Sequence, residues 1–110
     1  MKCELADKKC VPCKGGIPPL VGERLKSLHD ELGYSWNVVE EHHLEKEFKF
    51  ADFKRALAFT NKVGELAESV NHHPDIHLSW GKVKIQLFTH KINGLSESDF
   101  VLAAKIDRLD

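Results

Sequence analysis

The sequence predicts an α+β two-layer sandwich, in which a four-stranded antiparallel sheet carries three helices on one face. Three observations lead to this fold class. Apolar residues recur at helical spacing in three segments, and they alternate with polar residues in four shorter segments. The segments follow the order helix, strand, strand, helix, strand, strand, helix. Since each pair of strands is joined by a short turn, we expect two antiparallel hairpins whose apolar face is covered by the helices.

The first predicted element is a helix that begins near Leu20 and stops at Gly33. Upstream of it, prolines and glycines interrupt the chain too often for a long regular element. We therefore expect an irregular N-terminal arm over residues 1–19 and a single domain over residues 20–110. The apolar positions of the first helix are Leu20, Val21, Leu25, Leu28 and Leu32.

A first hairpin and the longest helix follow. The hairpin should turn near residues 40–42, between two segments whose apolar residues alternate with polar ones, namely Trp36 and Val38, then Leu44, Phe48 and Phe50. The helix is predicted over residues 51–70 and should end near Asn71, because Pro74 has no amide hydrogen to donate. Its predicted apolar face contains Phe53, Ala56, Leu57, Val63, Ala67 and Val70.

A second hairpin and a final helix complete the predicted order. The hairpin turns around Gly81, and Ser96 is placed to cap the final helix with Asp99 three residues later. Edge strands of such a sheet would be exposed unless another subunit covers them, so we expect a homo-oligomer. The alternating apolar residues of the second hairpin are Ile76, Leu78, Trp80, Val83, Ile85 and Leu87.

Charge and composition exclude several classes of protein. The 110 residues include 16 Lys and Arg against 17 Asp and Glu, a formal charge of −1, so no nucleic acid partner is expected. No apolar run approaches the roughly 18 residues of a membrane-spanning helix. The first ten residues carry charges where a signal peptide would be apolar, which predicts a cytoplasmic protein.

The three cysteines, Cys3, Cys10 and Cys13, all lie in the predicted arm. They cannot all pair within one chain, which agrees with a reducing compartment. Cys10 and Cys13 form a Cys-x-x-Cys pair that could bind zinc or act as a redox pair. Since no βαβ pattern surrounds it and no fourth ligand follows at a usual zinc spacing, free thiols are the favoured interpretation.

Three of the seven histidines, His72, His73 and His90, form the candidate site. A turn at residues 81–82 would place His90 opposite His72 or His73, with alpha carbons about 4.5 to 5.5 Å apart. Imidazole has an unperturbed pKa of about 6.5, so it accepts and donates protons near neutrality. A cleft lined by such rings suits general acid–base catalysis. The alternative is a set of solvated histidines at the ends of elements.

Metal binding is a second interpretation of the same region. His73, Asp75 and His77 alternate along one strand, and His90 could add a nitrogen ligand. No His-Glu-x-x-His signature is present, so no metal is predicted. The neighbouring pair His42-His43 lies at or after the first hairpin turn and is expected on the exposed surface.

Two stretches of sequence resemble one family closely. E-S-V-N-H-H-P runs from Glu68 to Pro74, and T-H-K-I-N-G-L-S-E-S-D runs from Thr89 to Asp99. F-K-F-A-D-F precedes the long helix, and L-A-A-K-I-D lies near the end. Together these motifs resemble the pterin-4a-carbinolamine dehydratase family over the chain from about Leu20 onward. The combination is specific, whereas a lone His-His-Pro would not be.

The resemblance implies the same sandwich fold, assembled as a homodimer or homotetramer. It implies a hydro-lyase that dehydrates 4a-hydroxytetrahydropterin to quinonoid dihydropterin in tetrahydropterin recycling, with no cofactor and no metal. It implies catalytic roles for His72, His73 and His90, and substrate-binding or orienting roles for Glu68, Asp99 and Trp80. The family also includes animal members that stabilise dimers of a transcription factor. A non-catalytic interaction module is therefore the rival function, alongside a His-ligated metalloprotein.

Overall fold

The computed structural model describes residues 19–33 and 35–109. Within this part of the chain the helices and strands follow the predicted order, with a single-turn 3-10 helix added at His90–Ile92. The predicted arm, with its cysteines, falls almost entirely outside the described residues. No described helix combines the length and apolar character needed to cross a membrane. The elements are α1 (Gly22–Leu32), β1 (Asn37–Val39), β2 (His43–Lys49), α2 (Phe53–Val70), β3 (Asp75–Ser79), β4 (Lys82–Leu87) and α3 (Glu97–Asp107).

The four strands form one antiparallel sheet in the order β1-β2-β4-β3. Alternate residues of β2 and β4 are buried, and they share one core with apolar side chains from all three helices. The other face carries mostly charged and polar residues, as a half-solvated antiparallel sheet does. The predicted α+β sandwich is therefore confirmed. The buried strand residues are Leu44, Phe48, Val83, Ile85 and Leu87.

Local capping sets the two ends of α2. The Asp52 side chain accepts a hydrogen bond from the Arg55 amide at 2.8 Å, so the helix begins at Phe53. Asn71 adopts the left-handed conformation with φ 53°, and the His72 amide bonds the Ala67 carbonyl at 3.2 Å. These bonds end α2 as predicted and fix the backbone of the His72-His73 segment.

The buried stripe of α2 is narrower than the sequence pattern suggested. Ala56, Phe59 and Val63 are buried, but Phe53 is 43% exposed and Leu57 is 40% exposed. The two exposed residues lie one turn apart at the flank of the stripe that faces the sheet. The predicted apolar face of α2 is therefore only partly buried, because the sheet covers only the central stripe of the helix.

The register of the second hairpin differs from the prediction. Ser79 pairs with Lys82, so the turn consists of Trp80 and Gly81, and the ladder ends at Asp75. The predicted pairing of His90 across this ladder is wrong, because His90 begins the 3-10 helix after β4. The turn needs its glycine, since a Cβ at residue 81 would lie 2.9 Å from the Phe50 carbonyl oxygen.

A charged contact on the polar face joins β2 to β4. Glu45 accepts a hydrogen bond from Gln86 at 2.8 Å and lies 3.2 Å from the Lys84 amine. The Gln86 hydrogen bond is the main cause that lowers the pKa of Glu45 from 4.5. Partial burial opposes this effect, and Lys84 and His43 add to it.

This contact predicts a small pH-dependent effect on stability. Because the pKa of Glu45 is lowered in the folded state, the contact stabilises the fold above about pH 4.5 and is lost as the pH falls through the folded-state pKa. We expect Gln86→Met to reduce the free energy of unfolding by less than about 1 kcal/mol at neutral pH. Urea denaturation in acid should show a smaller difference. An equal loss at both pH values would mean that Gln86 acts through packing alone.

Candidate active site

A cleft lies where the C-terminal end of α2 meets the start of β3 and the segment after β4. Its volume is about 350 Å³, within the range of about 300 to 1,000 Å³ that small-molecule sites occupy. His72, His73 and His90 all line it, although they come from two separate stretches of chain. The complete lining is Asn71, His72, His73, Pro74, Asp75, Phe88, Thr89, His90 and Lys91.

The His72 ring is fixed by a buried carboxylate. Its Nε2 atom lies 2.5 Å from Oδ1 of Asp99, which is fully buried, and the ring itself is 15% exposed. With the Nε2 proton directed at the carboxylate, Nδ1 is the ring nitrogen that remains to exchange a proton. The carboxylate also stabilises the positive charge of the ring when it holds two protons.

The second oxygen of Asp99 binds the segment that carries His90. Oδ2 accepts hydrogen bonds from the Thr89 hydroxyl at 2.8 Å and from the Ser96 amide at 2.9 Å. The Ser96 hydroxyl and the Asp99 amide complete the predicted capping arrangement at the start of α3. A single carboxylate thus connects His72 to Thr89, the residue directly before His90. This contact of Thr89 was not predicted from the sequence.

His90 is exposed and lies on a short closed loop. The Thr89 amide bonds the Gly94 carbonyl at 2.8 Å, and Asn93 adopts the left-handed conformation with φ 49°. Gly94 also allows a close approach, since a Cβ there would lie 2.6 Å from the Cβ of Pro19. These contacts keep the loop small and hold it against the segment of this chain that contains Pro19.

His73 and Glu68 form a second, more exposed pair. The Nε2 atom of His73 lies 2.6 Å from Oε1 of Glu68, and their side chains are 54% and 79% exposed. Ion pairs this exposed contribute little to stability. The contact nevertheless orients the ring at the edge of the cleft.

Trp80 lies away from the other candidate residues. It occupies the β3–β4 turn and is 68% exposed, at the end of β3 opposite the cleft, roughly 15 Å from Asp75 along the strand. Among the described residues, Trp80 is the candidate that the structure does not bring near the three histidines.

Phe88 and His42 were not predicted at the site. The Phe88 ring lies 4.1 Å from the His90 ring and 4.6 Å from the His42 ring, measured between centroids. His42 also lies 2.9 Å from the side-chain oxygen of Asn93. The prediction that His42 and His43 lie on the exposed surface is wrong, since both are half-buried. The sequence did contain one signal for this cluster. Phe88 continues the alternation of the polar residues of β4, so its apolar ring falls on the polar face of the sheet.

The alternating set proposed for metal binding does not converge. Among the described residues, no group of three or more His, Cys, Asp or Glu side chains is arranged to hold a metal ion. In the described chain, the carboxylates near the histidines instead bind imidazole rings, as Asp99 binds His72 and Glu68 binds His73.

Comparison with known proteins identifies the family of this chain. A family model described as pterin 4 alpha carbinolamine dehydratase matches residues 18–109. A protein of Rubrobacter xylanophilus, provisionally named pterin-4-alpha-carbinolamine dehydratase, is 62% identical over 96% of this chain and 98% of its own length. A relative from Alkaliphilus metalliredigens with the same provisional name is 61% identical over 94% of each chain.

Solved structures show the same relationship. A transcriptional coactivator/pterin dehydratase from Brucella melitensis is 28% identical, with a TM-score of 0.76 over 83% of this chain and 97% of that one. A pterin dehydratase-like protein described as a RuBisCO assembly factor in the alpha-carboxysome is 26% identical, with a TM-score of 0.59 over 71% of this chain and 92% of that one. The family match and the identity to these relatives lead to one conclusion: this chain belongs to the pterin 4 alpha carbinolamine dehydratase family.

Proposed function

We propose that this chain dehydrates 4a-hydroxytetrahydropterin to quinonoid dihydropterin by histidine acid–base catalysis, and so supports tetrahydropterin recycling. The observation that carries the proposal is the cleft shared by His72, His73 and His90, with His72 bonded to the buried Asp99. Family membership supports the substrate class, and the three imidazoles that line the cleft support the assignment of proton transfer to histidine.

The reaction requires two proton transfers and no net change in protonation. The bond between carbon 4a and its hydroxyl oxygen breaks, and the oxygen leaves as water after it gains a proton. The neighbouring ring nitrogen loses a proton as its electron pair forms the new carbon–nitrogen double bond. A protonated imidazole and a neutral imidazole in one cleft provide both transfers.

His72 and His90 share these two roles in the proposal. Asp99 holds Nε2 of His72, so Nδ1 is the ring nitrogen that exchanges the proton with the substrate. The carboxylate also stabilises the charged form of the ring. His90 transfers the second proton from the loop after β4. His73, bonded to Glu68, binds and orients the substrate at the cleft edge.

We also propose a location and an oligomeric state for the enzyme. It acts in the cytoplasm as a homodimer or homotetramer and needs no cofactor. The outer edges of β1 and β3 have no neighbouring strand within the described chain, and such edges are commonly covered by another subunit.

The test is a stopped-flow assay of carbinolamine loss with folded variants. We expect His72→Ala and His90→Ala each to lower the dehydration rate by about 100-fold or more, since one general acid or base typically contributes 10² to 10⁴. The matched control is His77→Ala, which removes an exposed histidine of β3 outside the cleft lining. It should retain the wild-type rate after the uncatalysed reaction is subtracted.

Two outcomes would contradict the proposal. Wild-type rates in both folded variants would remove the catalytic assignment of the histidines. A wild-type protein that does not accelerate the reaction would instead favour an interaction module, a class suggested by the description of one structural relative as an assembly factor.

A further inference from the structure

We propose that His42 and Phe88 are positioning residues for His90, acting through a series of ring contacts from the β1–β2 turn to the cleft. The inference rests on the proposed dehydratase function, because it specifies how one catalytic ring is held. Neither residue was placed in the candidate site from the sequence, because both lie outside the family motifs and outside the predicted second hairpin.

The ring contacts are short and continuous. The centroids of His42 and Phe88 lie 4.6 Å apart with ring planes at 38°, and those of Phe88 and His90 lie 4.1 Å apart with planes at 39°. Aromatic pairs at such separations attract each other beyond the area they bury. Phe88 therefore transmits the position of the His42 ring to the His90 ring.

A hydrogen bond fixes the far end of this series to the loop that carries His90. Since the side-chain oxygen of Asn93 is an acceptor, Nε2 of His42 is the donor in their 2.9 Å contact. Nδ1 of a neutral His42 is then the acceptor for Nδ1 of His43, 3.1 Å away. Asn93 caps the 3-10 helix that begins at His90, so His42 contacts one end of this turn directly and the other end through the Phe88 ring.

The strand register explains why the β1–β2 turn reaches this loop. Leu44 pairs with Leu87, so the residues before Leu44 run alongside the residues after Leu87. The turn itself is shaped by Glu40 and Glu41, whose φ angles are 52° and 53°. This backbone directs His42 toward Phe88 and Asn93.

His90 needs such a constraint more than His72 does. His72 is mostly buried and bonded to Asp99, whereas His90 is exposed on a single helical turn. An exposed side chain samples several staggered rotamers. The contact with Phe88 selects one of them, with the ring facing the cleft that His72 also lines.

The first experiment measures turnover. We expect His42→Ala to lower kcat about tenfold with little change in KM, which is less than the roughly 100-fold loss that a 1 Å misplacement can cause. In a His90→Ala background, His42→Ala should cause no further loss, because its effect passes through the missing ring. His77→Ala serves as the control and should keep both constants.

The second experiment observes the His90 ring directly by NMR. In the wild type, the ring current of Phe88 should shift the His90 ring protons away from the resonances of the exposed His77. His42→Ala should move them toward the His77 resonances, and Phe88→Leu, which leaves the β1–β2 turn intact, should move them further in the same direction.

Specific results would overturn the inference. Unchanged His90 resonances in both variants would show that the ring is held without them. A His42→Ala loss that persists in the His90→Ala background would show that His42 acts elsewhere. If the wild type has no dehydratase activity, the proposed function fails, while the NMR result still decides whether these residues position His90.

Discussion

Asp99→Asn is expected to lower the dehydration rate by about 100-fold or more while the protein remains folded. The carboxylate accepts from His72 through one oxygen and from Thr89 and the Ser96 amide through the other. An amide has only one oxygen. If that oxygen keeps the bonds to the Thr89 hydroxyl and the Ser96 amide, the NH2 group faces His72. Nε2 of His72 must then become an acceptor.

This change would reverse the arrangement of the His72 ring. Nδ1 would carry the proton in the neutral form, and the negative charge that stabilises the doubly protonated ring would be absent. Nitrogen-15 NMR of the ring reports which nitrogen is protonated, and stopped-flow assays report the rate. Thermal unfolding should show a loss of about 1 to 3 kcal/mol, the usual cost of disturbing a buried hydrogen bond to a charged group.

Glu97→Gln is the matched control for Asp99→Asn. It removes one negative charge from the same first turn of α3, at an exposed position outside the cleft lining. It should leave the rate and the His72 protonation pattern unchanged. A normal rate in Asp99→Asn would contradict the role assigned to the carboxylate.

Trp36→Ala is expected to have the largest effect on stability, a loss of about 3 to 5 kcal/mol. Trp36 is fully buried and lies 6.0 Å from the Phe48 ring, measured between centroids. Its Nε1 atom donates to both oxygens of Asp107, at 3.1 and 3.0 Å, at the C-terminal end of α3. Since the free energy of unfolding of a small domain is only about 5 to 15 kcal/mol, the variant should be close to unfolding.

Trp36→Phe separates the packing of this residue from its hydrogen bonds. Phenylalanine keeps an aromatic ring in the core but has no N–H group, so we expect a loss of about 1 to 2 kcal/mol. Asp107 would still accept from Lys46 at 2.7 Å. Chemical denaturation of both variants gives the comparison, and equal losses would mean that the ring contributes little beyond its N–H group.

The fold was predictable because its signals are local. Helical and alternating periodicity each depend on residues within one or two turns, and the cap at Ser96 and Asp99 depends on a spacing of three. The strand order was not predictable in the same way. The pairing of β2 with β4 joins hairpins separated by the whole of α2, and no nearby residues specify it.

The candidate site was predicted in part, and for a partly mistaken reason. His72, His73 and His90 do line one cleft, but a turn placed one residue too late gave the wrong pairing for His90. The cleft is formed by segments beyond the ladder, where a register argument no longer applies. His42 and Phe88 were missed because they meet through the β2–β4 pairing.

The carboxylate shared by α3 and the cleft also means that, in the proposed mechanism, catalysis would depend on the last helix. Fraying of the first turn of α3 would release the His72 ring and the Thr89 hydroxyl together, even with the sheet intact. If the proposed dehydratase mechanism holds, heating should abolish activity at the temperature where amide exchange of that turn accelerates, before the strands exchange. Enzymatic activity would then serve as a sensitive reporter of local opening at this helix.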